Sequence, residues 1–203
     1  MRTFYKYNIL GFIVLILLAS CSSSKNQPDS ATPGDATIPF DTIQKAQVET
    51  MVNTISAGLR EIGPPQKLAY PLYNVKDTIY YWVLKDDAAR ISIEWKPENE
   101  VIWPTFFVYQ GELVFVRYRH LNETPPNSLV SETMIYLHDG KIVYCEERSQ
   151  GLKEGELPGS LRQKGYSRTT RSYAEIEKDY KEYWKMVAEH MKKQNAFPSF
   201  IKM

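Results

Sequence analysis

The chain lacks an apolar run long enough to cross a membrane as a helix, and it is poor in cysteine and histidine. Its longest run, residues 9–18, consists of large apolar side chains apart from Gly11. A membrane-spanning helix needs ~20 such residues. The 203 residues include only two cysteines and three histidines. These features argue against a transmembrane bundle and against a scaffold held by several disulfides.

Sequence patterns of several catalytic classes are also missing. The chain contains no HExxH zinc motif, no G-x-S-x-G nucleophile elbow, no Walker-type phosphate loop and no dinucleotide fingerprint. His120, His138 and His190 fall on different predicted elements, without the i, i+4 spacing of helical zinc ligands. We therefore assign no catalytic residue, no metal ligand and no cofactor from the sequence.

The N-terminal residues have the layout of an export signal. Arg2 and Lys6 precede the apolar run, and the small residues Ala19 and Ser20 follow it. The run ends in Leu18-Ala19-Ser20-Cys21. An ordinary secretory signal followed by a chance cysteine is the alternative interpretation.

This segment resembles the signal of bacterial lipoproteins, whose lipobox ends in an invariant cysteine. The resemblance implies cleavage before Cys21 and acylation of its sulfur and its new amino group. Each buried methylene contributes ~0.8 kcal/mol, so several acyl chains would hold the protein on a membrane. Because Ser22 follows the cysteine, the resemblance also favours the outer membrane of the cell envelope. Residues 22–26 lack the acidic cluster that resembles a surface-export signal, so we expect the protein to face the periplasm.

Loss of the signal would leave a nearly neutral protein with one cysteine thiol. Removal of Arg2 and Lys6 from the 25 basic residues leaves 23 against 24 acidic ones. Such a balance does not support nucleic-acid binding, which favours a strongly basic surface. With Cys21 acylated, Cys145 has no partner for an intramolecular disulfide, and its apolar neighbours predict a buried, inert thiol.

The composition divides the chain into three parts. Residues 1–20 are the predicted signal peptide, and residues 21–40 are the lipidated cysteine and a flexible tether. Ser, Pro, Asp, Thr, Gly and Ala dominate this tether, so it cannot bury enough apolar surface to offset its ordering entropy. Residues 41–203 are predicted to form a single globular domain, whose length suffices for one hydrophobic core.

Two amphipathic helices are predicted at the ends of this domain. The first begins near Asp41 and ends before Gly63-Pro64-Pro65. The second begins at Ser172, which has capping-box spacing to Glu175, and ends near Asn195. Apolar residues recur in both at intervals of three and four.

Between the helices, short segments rich in β-branched and aromatic residues alternate with turn signals. We predict strands over 79–84, 91–95, 101–109, 113–118, 134–137 and 142–145. The connections are too short for crossover helices, so the strands should form an antiparallel meander. The segments that begin at Gly111 and Gly140 align over a shift of 29 residues, which indicates two similar hairpins. The predicted fold is α+β, with one antiparallel meander sheet of about five to seven strands. The N-terminal helix and a longer C-terminal helix are expected to pack mainly on one face of it.

Aromatic residues make up 13% of the chain. Tyr80 and Trp82 share one face of their strand. With Trp95, Arg117 and Arg119 they form a possible binding face for a sugar ring or a protein partner. The alternative is that the helices and the loop over 149–171 cover both faces of the sheet.

Two functions of different class remain. One is a membrane-anchored envelope lipoprotein that acts as a non-catalytic binding or assembly module for a protein or glycan. The alternative is a small envelope hydrolase whose site forms only in three dimensions, so the sequence leaves open whether the protein is an enzyme. The signal, tether and Tyr-rich hairpins together resemble small uncharacterised lipoproteins of Bacteroidota-type bacteria, a resemblance that implies no activity.

Overall fold

The computed structural model describes residues 37–71, 76–84, 87–123, 128–152, 161 and 164–202. All of them belong to one compact unit of the chain. The predicted signal peptide, Cys21 and most of the predicted tether lie outside the described residues.

Two helices flank the sheet in sequence, as predicted. Helix α1 spans Thr42–Glu61, and the Asp41 carboxylate accepts hydrogen bonds from the backbone N–H groups of Ile43 and Gln44 at 3.0 and 2.8 Å. Helix α2 spans Tyr173–Lys193 and begins with the predicted capping box between Ser172 and Glu175. Both caps satisfy backbone donors that have no partner within the helix.

The sheet has eight antiparallel strands, and their order in space is their order in sequence. The predicted α+β class and meander topology are confirmed, with one strand more than expected. The strands are β1 Gln66–Ala69, β2 Thr78–Leu84, β3 Ala88–Glu94, β4 Glu100–Tyr109, β5 Glu112–Asn122, β6 Leu129–His138, β7 Lys141–Gly151 and β8 Ser167–Arg168. Sequence patterns missed the edge strands β1 and β8, because these are short and mostly exposed.

The two aligned hairpin segments have matching geometry. Gln110 and Gly111 have φ of 50° and 83°, and Asp139 and Gly140 have φ of 49° and 71°. Positive φ at both central residues is typical of the type I′ turn, whose twist suits a two-residue hairpin. The strand register shifts after Phe107 in one hairpin and after Tyr136 in the other. The prediction of two similar hairpins is confirmed.

The helices pack on opposite faces of the sheet, so the expectation that both pack mainly on one face is wrong. Residues that point to α2 include Ile91, Phe106 and Ile135, which form one core cluster with Trp184. Phe107 and Tyr136, the strand neighbours of Phe106 and Ile135, point the other way and pack with Val48 and Ile55 of α1. Each fully buried side chain of this size contributes ~1.5–3 kcal/mol. Each face of the sheet has an apolar region, and each of these regions needs a helix to cover it.

Helix α1 covers only part of its face, which we call the α1 face. It packs on Phe107, Phe115, Tyr136 and Tyr144, a row of residues near the β4–β5 and β6–β7 turns. The next rows, farther from these turns, consist mainly of polar and charged residues. They hold the candidate site.

Candidate functional site

A groove of about 250 Å³ lies on the α1 face beside the apolar row. Its floor follows the strand register from Tyr80 on β2 to Ser92, Thr105 and Arg117 on β3, β4 and β5. The Ser92 and Thr105 hydroxyl oxygens are 3.1 Å apart and share a hydrogen bond. Each hydroxyl keeps further hydrogen-bonding capacity, because a hydroxyl has one donor and two acceptor positions.

Arg90 lines the groove beside this floor and is half-buried. Its guanidinium carbon lies 5.0 Å from the centroid of the Trp82 ring and 5.6 Å from that of Phe107. The buried Arg90 Nε makes no hydrogen bond, and no carboxylate among the described residues pairs with this side chain. Burial, together with the nearby charge of Arg117, lowers the pKa of Arg90. The groove thus contains a cation that is desolvated without a counter-charge.

The two tryptophans at the groove are positioned by their surroundings. The guanidinium carbon of Arg119 lies 5.6 Å from the centroid of the Trp103 ring, on the neighbouring strand. The Trp82 indole N–H donates to the Gly63 carbonyl at 3.2 Å, just after α1. These cation–π and hydrogen-bond contacts limit the number of orientations open to both rings.

Glu132 forms the anionic centre next to the groove and is 1% exposed. Its carboxylate accepts hydrogen bonds from Arg117, from Arg148 and, at 2.6 Å, from the Tyr166 hydroxyl. Burial by itself raises the pKa of Glu132, but the Tyr166 hydrogen bond and the two arginines outweigh it, so the pKa is lowered. One carboxylate therefore serves two guanidinium groups, and the side chain of Arg117 remains 46% exposed.

The remaining acidic side chain of the groove, Glu94, pairs with Lys96 at 2.8 Å. Both side chains are substantially exposed, so this pair contributes little to stability. Glu94 keeps acceptor capacity on the groove side because a carboxylate has about four acceptor positions.

The structure brings together most of the residues of the predicted binding face. Tyr80, Arg117 and Arg119 line the groove, and Trp82 contacts Arg90 beside it. Trp95 is a correction: it is fully buried on the α2 face, with its ring 5.3 Å from that of Tyr183. The reason is strand alternation, because Trp95 follows Glu94 and therefore points to the opposite side.

The predicted binding face lacked six of the residues that line the groove, namely Arg90, Ser92, Ile93, Glu94, Trp103 and Thr105. The alternation of polar and apolar residues along β3 could have identified two of them. Arg90 and Ser92 alternate with Ala89, Ile91 and Ile93, so they had to face away from the core that those apolar residues enter.

The residues considered for catalysis do not converge. His120 lies 3.3 Å from Glu100, His138 lies 3.3 Å from Asp139, and His190 contacts the Ala69 carbonyl at 2.9 Å. Within the described part of the chain, no three His, Cys, Asp or Glu residues are placed to hold a metal ion.

Cys145 is 1% exposed, and burial raises its pKa to about 12. These values agree with the predicted buried thiol, because the reactive form of cysteine is the exposed thiolate.

Glu146 has a structural role on the same face. It is 8% exposed, and it accepts hydrogen bonds from the Tyr136 hydroxyl at 2.8 Å and from Lys45 Nζ at 3.0 Å. Since Lys45 belongs to α1, this contact holds the helix against β6 and β7. It lies under the helix, away from the groove floor.

Neither described helix is both long and apolar enough to cross a membrane. Compared with known proteins, the chain matches no protein-family model, no curated protein and no solved structure.

Proposed function

We propose that the protein is a lipid-anchored module of the bacterial cell envelope that binds a glycan or protein partner in the groove. The observation that carries this proposal is the open, polar half of the α1 face. There, Arg90 lies against the Trp82 and Phe107 rings and has no carboxylate partner among the described residues.

A binding role for the groove explains why it contains features that lower the stability of the fold. A desolvated cation without a carboxylate reduces the free energy of unfolding, because burial of an unpaired charge is unfavourable. Aromatic walls, hydroxyl groups and arginine donors around one concave surface are typical of ligand sites. Unfavourable local features of this kind commonly occur at functional sites.

The anchor is part of the proposal and rests on the sequence. Leu18 to Cys21 resemble the lipobox, and the composition that follows suits a tether. Acyl chains on Cys21 would place the globular domain close to the membrane, which we propose to be the outer membrane on its periplasmic side. A partner of such a module belongs to the same compartment.

Metabolic labelling tests the anchor. We expect radiolabelled palmitate to enter the wild-type protein and not the Cys21→Ala variant in a bacterial host. Intact mass should show the loss of residues 1–20 together with the added acyl chains. Unlabelled protein that retains those residues would refute the anchor.

A groove-filling variant tests the binding role. We expect Thr105→Tyr, which places a ring on the groove floor, to abolish binding of the partner by the detergent-solubilised full-length lipoprotein. Thr50→Tyr makes the same change at an exposed position of α1 and should leave binding intact. Glycan arrays and crosslinking in native envelopes supply the readout, and thermal melting checks that both variants fold. Equal binding by both variants would exclude the groove.

A further inference from the structure

The charges around the groove do not balance. Arg117 and Arg148 share the single carboxylate of Glu132, and Arg90 has no carboxylate partner among the described residues. Glu94 is already matched by Lys96. Among the described residues, three arginines (Arg90, Arg117 and Arg119) and one carboxylate (Glu94) line the groove, so the groove attracts a ligand of negative charge.

The arrangement of Arg90 suits a planar anion. Its guanidinium lies over the Trp82 and Phe107 rings, which restrict its rotation, and because Nε is buried the two Nη groups are the donors left for a ligand. A guanidinium presents these donors as a rigid fork that matches the two oxygens of a carboxylate. Because the fork is already ordered, less side-chain entropy is lost on binding.

Arg117 supplies a second donor group on the same floor. Its side chain is 46% exposed even while it pairs with Glu132. A guanidinium has five N–H donors, so Arg117 can bind Glu132 and a ligand oxygen together. The carboxylate of Glu132 also accepts from Tyr166 and Arg148, so Arg117 is not its only partner.

The other walls suit a sugar ring. Tyr80 and Trp103 provide aromatic surface, and the hydrogen-bonded hydroxyl pair of Ser92 and Thr105 lies on the floor. Hydroxyl groups of this kind exchange hydrogen bonds with sugar hydroxyls, and Glu94 can accept one more. The volume of about 250 Å³ lies just below the range of drug-sized ligand sites, ~300–1,000 Å³, and fits a small ring.

We propose that the groove binds an acidic sugar, with its carboxylate held by Arg90 and Arg117 and its ring beside Trp103. This inference rests on the proposed binding function, because it names the ligand class of the same groove. An acidic peptide also carries carboxylates, but its carboxylate side chains bring no ring hydroxyls to the Ser92 and Thr105 pair. The sugar is therefore the ligand that accounts for more of the groove.

Calorimetric titration of the detergent-solubilised full-length lipoprotein tests the inference. The probes are oligosaccharides of glucuronate and galacturonate and their neutral counterparts of glucose and galactose. We expect at least one acidic probe to bind about tenfold or more tightly than its neutral counterpart, a factor equivalent to ~1.4 kcal/mol. Added salt should weaken the acidic complex, because it screens partly exposed charges.

Three substitutions locate the effect. Arg90→Gln should weaken binding of the acidic probe about tenfold or more and leave any binding of the neutral probe unchanged. Arg171→Gln removes another partly buried guanidinium, which pairs with Asp179 in the second turn of α2, and should change neither. Arg90→Lys keeps the charge without the planar fork and should give an intermediate loss. Thermal melting confirms that each variant folds.

The outcomes separate the two proposals. If acidic and neutral probes bind with equal affinity, and Thr105→Tyr abolishes the binding of both, the acidic-sugar inference is wrong. The proposal of a binding module would then stand. Acidic binding that survives Arg90→Gln would also overturn the inference. If no sugar binds but a glutamate-rich peptide does, in a manner sensitive to Thr105→Tyr, the ligand class is wrong and the binding role stands. Failure of every probe, together with failure of the envelope crosslinking, would refute both.

Discussion

Neutralising Glu132 should destabilise the protein more than neutralising any exposed carboxylate. Glu132→Gln keeps the shape of the side chain and removes its charge. The carboxylate is 1% exposed and accepts hydrogen bonds from Arg117, Arg148 and Tyr166. After the substitution the guanidinium of Arg148, whose side chain is 11% exposed, would lack its counter-charge. The amide group of glutamine would also place two donors where only acceptors fit.

The size of the effect follows from burial. Removing one partner of a buried ion pair costs ~3–5 kcal/mol. We discount this value because Arg117 is 46% exposed and can turn toward water, which leaves ~3 kcal/mol, mainly from Arg148. In a domain of this size 1 kcal/mol corresponds to ~2–4 °C, so the melting temperature should fall by roughly 6–12 °C.

The pH dependence of unfolding provides a second readout. The folded-state pKa of Glu132 lies below the ordinary value of 4.5. Its stabilising contribution is therefore present above that value and is lost as the pH falls through the folded-state pKa. The difference in stability between wild type and Glu132→Gln should be largest near neutral pH and shrink in acid.

Thermal melting and urea unfolding over a pH series measure both effects. The control is Glu112→Gln, which makes the same change in an exposed pair with Lys202 and should cost no more than ~1 kcal/mol. If Glu132→Gln melts at the same temperature as this control, the network does not stabilise the fold. A difference that stays constant with pH would contradict the assignment of the effect to the charge of Glu132.

Three further substitutions and one labelling experiment test the fold. Alanine at Gly140, where φ is 71° and no atom of the described residues lies within 4 Å of the added carbon, should cost ~1–2 kcal/mol. The same change at Gly111 should cost more, because the new carbon would lie 2.5 Å from the Phe200 carbonyl oxygen; equal melting temperatures would contradict this. Iodoacetamide should label Cys145 much faster in urea than in the folded protein, since the thiol is 1% exposed and burial raises its pKa to about 12. Ser172→Ala should lower the free energy of unfolding by ~1 kcal/mol in urea titrations, through loss of the capping box of α2.

Local patterns were sufficient to predict most of the fold. The caps at Asp41 and Ser172 and the turn at Asp139-Gly140 depend on neighbours in sequence, and the structure confirms them. The six predicted strands are present because alternation and turn signals recur at short spacing. Short edge strands lack this alternation, so β1 and β8 had no clear signal.

The placement of the helices depends on contacts between residues far apart in the sequence. The prediction that both helices pack mainly on one face was therefore wrong. Both helices have one apolar stripe, which shows that each packs on the sheet but not on which side. Trp95 was misplaced for a different reason. It was selected for its residue type, whereas its parity relative to Ile91 and Ile93 places it in the α2 core.

The position of the groove could have been deduced from a change of pattern within single strands. Near the turns, the segments 106–108, 114–116 and 135–137 are continuously apolar, as expected where helices cover both faces of a sheet. Farther along β5, Arg117 and Arg119 alternate with Val116 and Tyr118, as expected where only one face is covered. The point where the alternation begins marks the edge of α1 on the sheet. A binding residue is therefore better sought among the polar positions beyond this edge than among the most conspicuous aromatic residues.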